Sequence, residues 1–154
     1  MAKKLVNTPN LQAMGMNIDT INQDVFNKIH DDPKALGKKI QAYKNMLDAG
    51  FPLSKMLPSF CLTKPVVETA EETIDFFVDE LGAKFVFIFT FIPSGFALTH
   101  SEWEPSLSEV RRACEHRAKR TSPHWLRIGA LDCNVTHCKI KCYITYDGDV
   151  LPFN

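Results

Sequence analysis

Apolar positions along this chain switch between two spacings, and the switches mark out its elements. In "NLQAMGMNID" (residues 10–19), Leu11, Met14, Met16 and Ile18 alternate imperfectly with polar neighbours, the pattern of a mostly buried strand. Asn17 and Asp19 close it, where a parallel strand would present polar groups to a site. "NQDVFNKIH" then predicts a short helix opened by Asn22. A clearer helix lies in "DDPKALGKKIQAYKNMLDAG". Asp32 can cap it, Pro33 suits a first helical position, Gly50 ends it, and Leu36, Ile40, Tyr43 and Leu47 form one apolar stripe.

"SKMLPSFCLT" predicts a second strand, weakened by Pro58, which donates no ladder hydrogen bond. "KPVVETAEETIDFFVDELG" predicts the strongest helix. Its stripe is Val67, Ala70, Ile74, Phe77 and Leu81, and Gly82 closes it. "AKFVFIFTFIP" is apolar on both faces, as a central parallel strand must be. After a loop, Ser106 and Glu109 spell a capping box, opening a helix with Leu107, Val110, Cys114 and Arg117 on one face. "WLRIGAL" (residues 125–131) reads as a short strand, and "CYITYDGDVLPF" as a hairpin turning at Asp147 and Gly148.

Strand and helix thus alternate, which argues for a parallel α/β sheet with right-handed crossovers. Three or four such strands make an open sheet or part of a barrel, followed by a cysteine-bearing β-hairpin. No linker is evident before about residue 129, which sets an expected division at 1–128 and 129–154.

Charge changes this picture little. Lys plus Arg and Asp plus Glu number 18 each, so the chain offers no electrostatic footprint for nucleic acid or an anionic membrane. No apolar run approaches the ~18 residues that span a bilayer. The start, "MAKKLVNTPN", lacks the apolar stretch of a signal peptide, so a cytoplasmic location is expected. Thiols stay reduced there, and the chain's 5 cysteines could not all pair in any case. Cys61 sits in an apolar segment and Cys114 on a helix face, and both read as small buried hydrophobes. No Gly-rich phosphate loop and no Gly-x-Ser-x-Gly turn occurs. His30, His100, His116, His124 and His137 are scattered and read as surface or helix-end residues.

The tail differs in kind. Cys133, Cys138 and Cys142 crowd together with His137. Thiolates hold zinc or iron–sulfur clusters, and His137 could add a nitrogen ligand. The plainer reading makes Cys142 a core thiol at a strand start and leaves Cys133 idle.

These residues carry a resemblance. "CKIKCYITYDGDVLP" resembles the opening of the SPASM or twitch-type extension that follows the catalytic barrel of many radical S-adenosylmethionine enzymes, with Phe153 standing where that pattern has a further cysteine. "MNIDTINQDVFNKIH" resembles the family's fourth barrel strand and the turn after it, and "QAYKNMLDAGFP" the next helix. "EETIDFFVDELGAKFVFIFTFIPSGFA" resembles the fifth helix and sixth strand, and "WEPSLSEVRRACEHRAKRTSPHWLRIG" the linker to the extension.

The resemblance implies a half β/α barrel, with Asn17 and Asp19 near the ribose or methionine part of S-adenosylmethionine. It also implies that Cys133, Cys138 and Cys142 belong to an auxiliary iron–sulfur site. The parent reaction would be reductive cleavage of the cofactor and radical modification of a peptide or small molecule. The family's CxxxCxxC loop does not occur in this sequence, so the chain is expected to be a fragment, inactive alone, associating with a missing N-terminal half or with itself through open sheet edges. Beside this stand two other readings: a small iron–sulfur or zinc module, and a non-catalytic α/β interaction protein.

Overall fold

A computed structural model describes residues 1–91, 93 and 95–121, with backbone alone at 95 and 96, together with the backbone of 142–144 and 150–152. Three strands form a parallel sheet in the order β1 (Met14–Asn17), β2 (Met56–Leu62), β3 (Phe87–Thr90). Met14 pairs with Met56 and Asn17 with Ser59; Ser59 in turn pairs with Phe87 and Leu62 with Thr90. The parallel α/β reading therefore holds for these strands. β4 (Cys142–Ile144) and β5 (Val150–Pro152) pair antiparallel, Tyr143 opposite Leu151. The expected strand at 125–131 and the turn at Asp147 and Gly148 lie outside the described residues.

Pro58 lies inside the central strand. β3 pairs with β2 only from Ser59 onward, so Pro58 stands where β1 alone flanks it, and the three-strand stretch begins just past the missing N–H.

Two helices, α2 (Gln23–Ile29) and α3 (Ala35–Asp48), join β1 to β2. Asn22 caps α2, its side chain accepting from the N–H groups of Asp24 and Val25. Asp32 accepts from the Lys34 N–H at 2.9 Å, but α3 starts only at Ala35, so Pro33 precedes the helix instead of opening it. Gly50 ends α3 with φ at +92°, a conformation glycine adopts without a Cβ penalty. Ahead of β1 lies α1 (Ala2–Val6), which the apolar pattern does not announce.

The long helix expected over 64–82 divides into α4 (Lys64–Val67) and α5 (Ala70–Asp79). Threonine hydroxyls supply the reason. Thr69 Oγ1 donates to the Val66 carbonyl at 3.2 Å and Thr73 Oγ1 to the Thr69 carbonyl at 2.7 Å, competing with the regular ladder. The apolar stripe survives the break: Val67, Ala70, Ile74, Phe77 and Leu81 are all buried.

Two 3₁₀ turns (Gly95–Thr99 and Ser101–Trp103) fill the loop after β3. α6 (Leu107–Arg120) follows, opened by the expected capping box between Ser106 and Glu109. It lies along α5, with His116 Nε2 on Asp75 Oδ1 at 2.8 Å and Arg112 Nε on Glu71 Oε1 at 3.4 Å. Its inner face departs from the pattern. Leu107 is 88% exposed, while Arg117 is buried with Nη1 donating to the Val86 carbonyl at 3.4 Å.

The core gathers Met56, Phe60, Leu62 and Ile88 of the sheet with Phe26 of α2, Tyr43 and Met46 of α3, and Ile74 and Phe77 of α5. These strand residues share one face of the pleat. On the other face Gly15, Leu57, Ser59, Phe87 and Phe89 border a shallow hollow of about 190 Å³, and no described helix lies over it. Among the described residues the sheet is thus covered on one side. No described helix is long and apolar enough to cross a membrane.

Candidate functional site

Parallel strands end together, and groups beyond their carboxyl ends converge because every strand points the same way. Here that edge carries Asn17 at the end of β1, Asp19 just after it, Cys61 near the end of β2, Thr63 just past it, and Phe91 just past β3. Ile29 and His30, at the end of α2, and Trp103 complete a cavity of about 270 Å³.

Asp19 is the hub. It is 5% exposed, and its carboxylate meets four protein contacts. Asn17 Nδ2 donates to both oxygens at 2.9 Å, the Cys61 N–H donates to Oδ1 at 3.0 Å, and His30 Nε2 meets Oδ2 at 2.9 Å. The chain is led there by the sheet itself, for the Ile18 N–H donates to the Ser59 carbonyl at 2.8 Å and extends the β1–β2 ladder past Asn17. Ile18 then drops into the core, and Thr20 Oγ1 meets Thr69 Oγ1 at 2.8 Å, tying the loop to the start of α5.

His30 is fixed on two sides. Its ring stacks on Phe26, with centroids 4.1 Å apart, while Nε2 points at Asp19. An ionised carboxylate only accepts, so the His30–Asp19 contact requires the proton on Nε2. Nδ1 then carries a lone pair in the neutral ring, and it has no partner among the described residues. Asn17 Nδ2 lies equally close to both Asp19 oxygens, so one amide hydrogen is shared between them, which leaves the second N–H as a donor and Oδ1 as an acceptor. Thr63 is 7% exposed and its Oγ1 is buried without a hydrogen-bond partner among the described residues. A buried orphan hydroxyl in a cavity wall is a vacancy in the hydrogen-bond accounting that a ligand can fill.

Asn17 and Asp19, the residues singled out from the sequence, are therefore brought together at the carboxyl edge, but in unequal roles. Asn17 borders the open side; Asp19 turns inward, with its oxygens engaged by the protein. The sequence reading passed over His30, Thr63 and Trp103. His30 is indeed a helix-end residue, the cap of α2, and nothing in its spacing from Asp19 signals the contact. Cys61 reads from sequence as a buried hydrophobe, but it is partly exposed and lines the cavity; Cys114 is buried as expected.

Cys133, His137 and Cys138 lie outside the described residues; Cys142 opens β4, where only its backbone is described. Among the described residues no three His, Cys, Asp or Glu side chains converge as metal ligands would. Compared with known protein families, with curated proteins and with solved structures, the chain matches none.

Proposed function

We propose that this chain is part of a radical S-adenosylmethionine enzyme: a portion of the catalytic β/α barrel followed by the start of an auxiliary iron–sulfur extension. One observation carries the reading. A polar cluster stands at the carboxyl edge of three parallel strands that described helices cover on one face only, the arrangement by which barrels of this class build their sites. The sequence resemblance of the tail around Cys138 and Gly148 supports it independently.

The cavity residues suit a polar, partly apolar cofactor. Asn17 Oδ1 and the orphan hydroxyl of Thr63 offer partners to hydroxyl or amino groups, while Ile29, Phe91 and Trp103 provide apolar wall. In the whole enzyme the cofactor and a reduced cluster supply radical hydrogen abstraction from a peptide or small substrate. This chain's own residues bind and orient. Asp19 fixes Asn17 and His30, and the aromatic wall limits water. The cluster ligands would be Cys133, Cys138 and Cys142, with His137 as a substitute nitrogen ligand. The sequence holds no CxxxCxxC loop, so S-adenosylmethionine binding by the isolated chain should be weak or undetectable, and a companion barrel segment meeting the open edges of β1 or β3 would complete the site. A cytoplasmic setting, where thiols stay reduced, fits this chemistry.

Anaerobic reconstitution with iron and sulfide tests the reading. Brown protein whose iron is lost in Cys138→Ala supports it. Colourless protein that takes up zinc through the same cysteines replaces it with the zinc-module reading, and protein binding neither metal replaces it with the non-catalytic interaction reading.

A further inference from the structure

The cavity at the carboxyl edge has a charge pattern of its own. Among its described lining residues Asp19 bears the only formal charge when His30 is neutral, and none is a lysine or arginine. The groups left over for a ligand include three acceptors, His30 Nδ1, Asn17 Oδ1 and the lone pairs of Thr63 Oγ1, beside two neutral donors, the second Asn17 amide hydrogen and the Thr63 hydroxyl. Phe91 and Trp103 add aromatic surface, which attracts cations through the ring quadrupole. Burial of Asp19 weakens the screening of its charge, so its field reaches the cavity through the imidazole it holds.

We propose that this cavity takes an ammonium group attached to an apolar body, with His30 as the residue that meets the ammonium and Asp19 as its positioning residue. The ammonium donates to His30 Nδ1 and to Thr63 Oγ1, and the apolar body lies against Trp103. Hydrogen bonding of Nε2–H to Asp19 makes Nδ1 a stronger acceptor, as chains of hydrogen bonds polarise one another. Thr63, which lines the cavity, is a second sign of a ligand, since its buried hydroxyl has no hydrogen-bond partner among the described residues. The inference stands apart from the iron–sulfur reading, because it needs neither a cluster nor the tail cysteines.

The test is a nuclear magnetic resonance titration of the full chain with 2-phenylethylamine as probe, and with phenylacetate and 2-phenylethanol as anionic and neutral counterparts. The amine should shift the His30 ring and Trp103 indole signals and bind about tenfold tighter than either counterpart. His30→Phe and Thr63→Val should each weaken the amine about fivefold or more while circular dichroism stays native. Equal or tighter binding of phenylacetate overturns the proposal. So does the absence of binding by all three probes, or an affinity for the amine that a folded His30→Phe or Thr63→Val chain leaves unchanged. Iron uptake by the tail leaves these outcomes untouched, so this inference and the radical-enzyme reading can fail separately.

Discussion

Asp19 illustrates how one side chain can hold three segments of backbone. It receives Asn17 from β1, His30 from α2 and the Cys61 N–H from β2. Asp19→Ala leaves that N–H unpaired in a poorly solvated place and frees His30, so a loss of about 2–4 kcal/mol is expected in urea denaturation. Tyr43 makes the opposite case. Its hydroxyl is buried in the core without a partner among the described residues, and burial pushes its pKa from 10.0 up to about 12. The unfolded chain therefore ionises first. The stability tied to Tyr43 is intact below pH 10.0 and falls as pH rises through about 12. Tyr43→Phe removes an unsatisfied group, so denaturation near neutral pH should show unchanged stability or a gain of up to about 1 kcal/mol. The same variant should lose less stability between pH 10.0 and 12 than the native chain. Of these residues the sequence discloses Asn17 and Asp19, because polar groups ending an apolar strand stand out. It does not disclose His30, whose contact depends on where α2 ends in space.

At the scale of elements, local chemistry decided more than periodicity. Asn22 and the Ser106–Glu109 pair start helices where their spacing says they should. The apolar stripe of residues 67–81 is legible, but the break at Thr69 is not, since nothing in the apolar spacing shows that the Thr69 and Thr73 hydroxyls will bond to the Val66 and Thr69 carbonyls. The burial of Arg117 is equally hidden, because a charged residue on a helix face carries no sign that its guanidinium will reach the Val86 carbonyl. The α6 capping box also explains an acid response. Lys64 Nζ, 2.6 Å from Glu109 Oε1, holds that carboxyl at about 2, with the Ser106 backbone and hydroxyl adding to the effect. Its folded-state value lies below the ordinary 4.5, so its contribution is present above 4.5 and disappears as pH falls through about 2. Ser106→Ala should cost about 1 kcal/mol in thermal or urea unfolding. Glu109→Gln should flatten the acid limb of the stability profile over that same window.

The whole molecule joins a legible sheet to a site that only folding assembles. Alternating strands and helices foretell parallel pairing, and parallel pairing gathers β1, β2 and β3 at one edge. Which side chains fill that edge follows from packing: Phe26 sets the ring plane of His30, the β1–β2 ladder carries Asp19 to the Cys61 N–H, and a 3₁₀ turn delivers Trp103. The reading of the tail as an iron–sulfur extension rests on sequence, since its cysteine side chains fall outside the described residues. Asp19 organises the edge by holding His30, whose Nδ1 has no partner among the described residues. Long-range ¹H–¹⁵N spectra of the histidine rings measure this most directly. Neutral His30 should carry its proton on Nε2, and Asp19→Asn in a folded chain should disturb this preference. A His30 ring protonated on Nδ1, or a tautomer balance indifferent to Asp19→Asn, would contradict it.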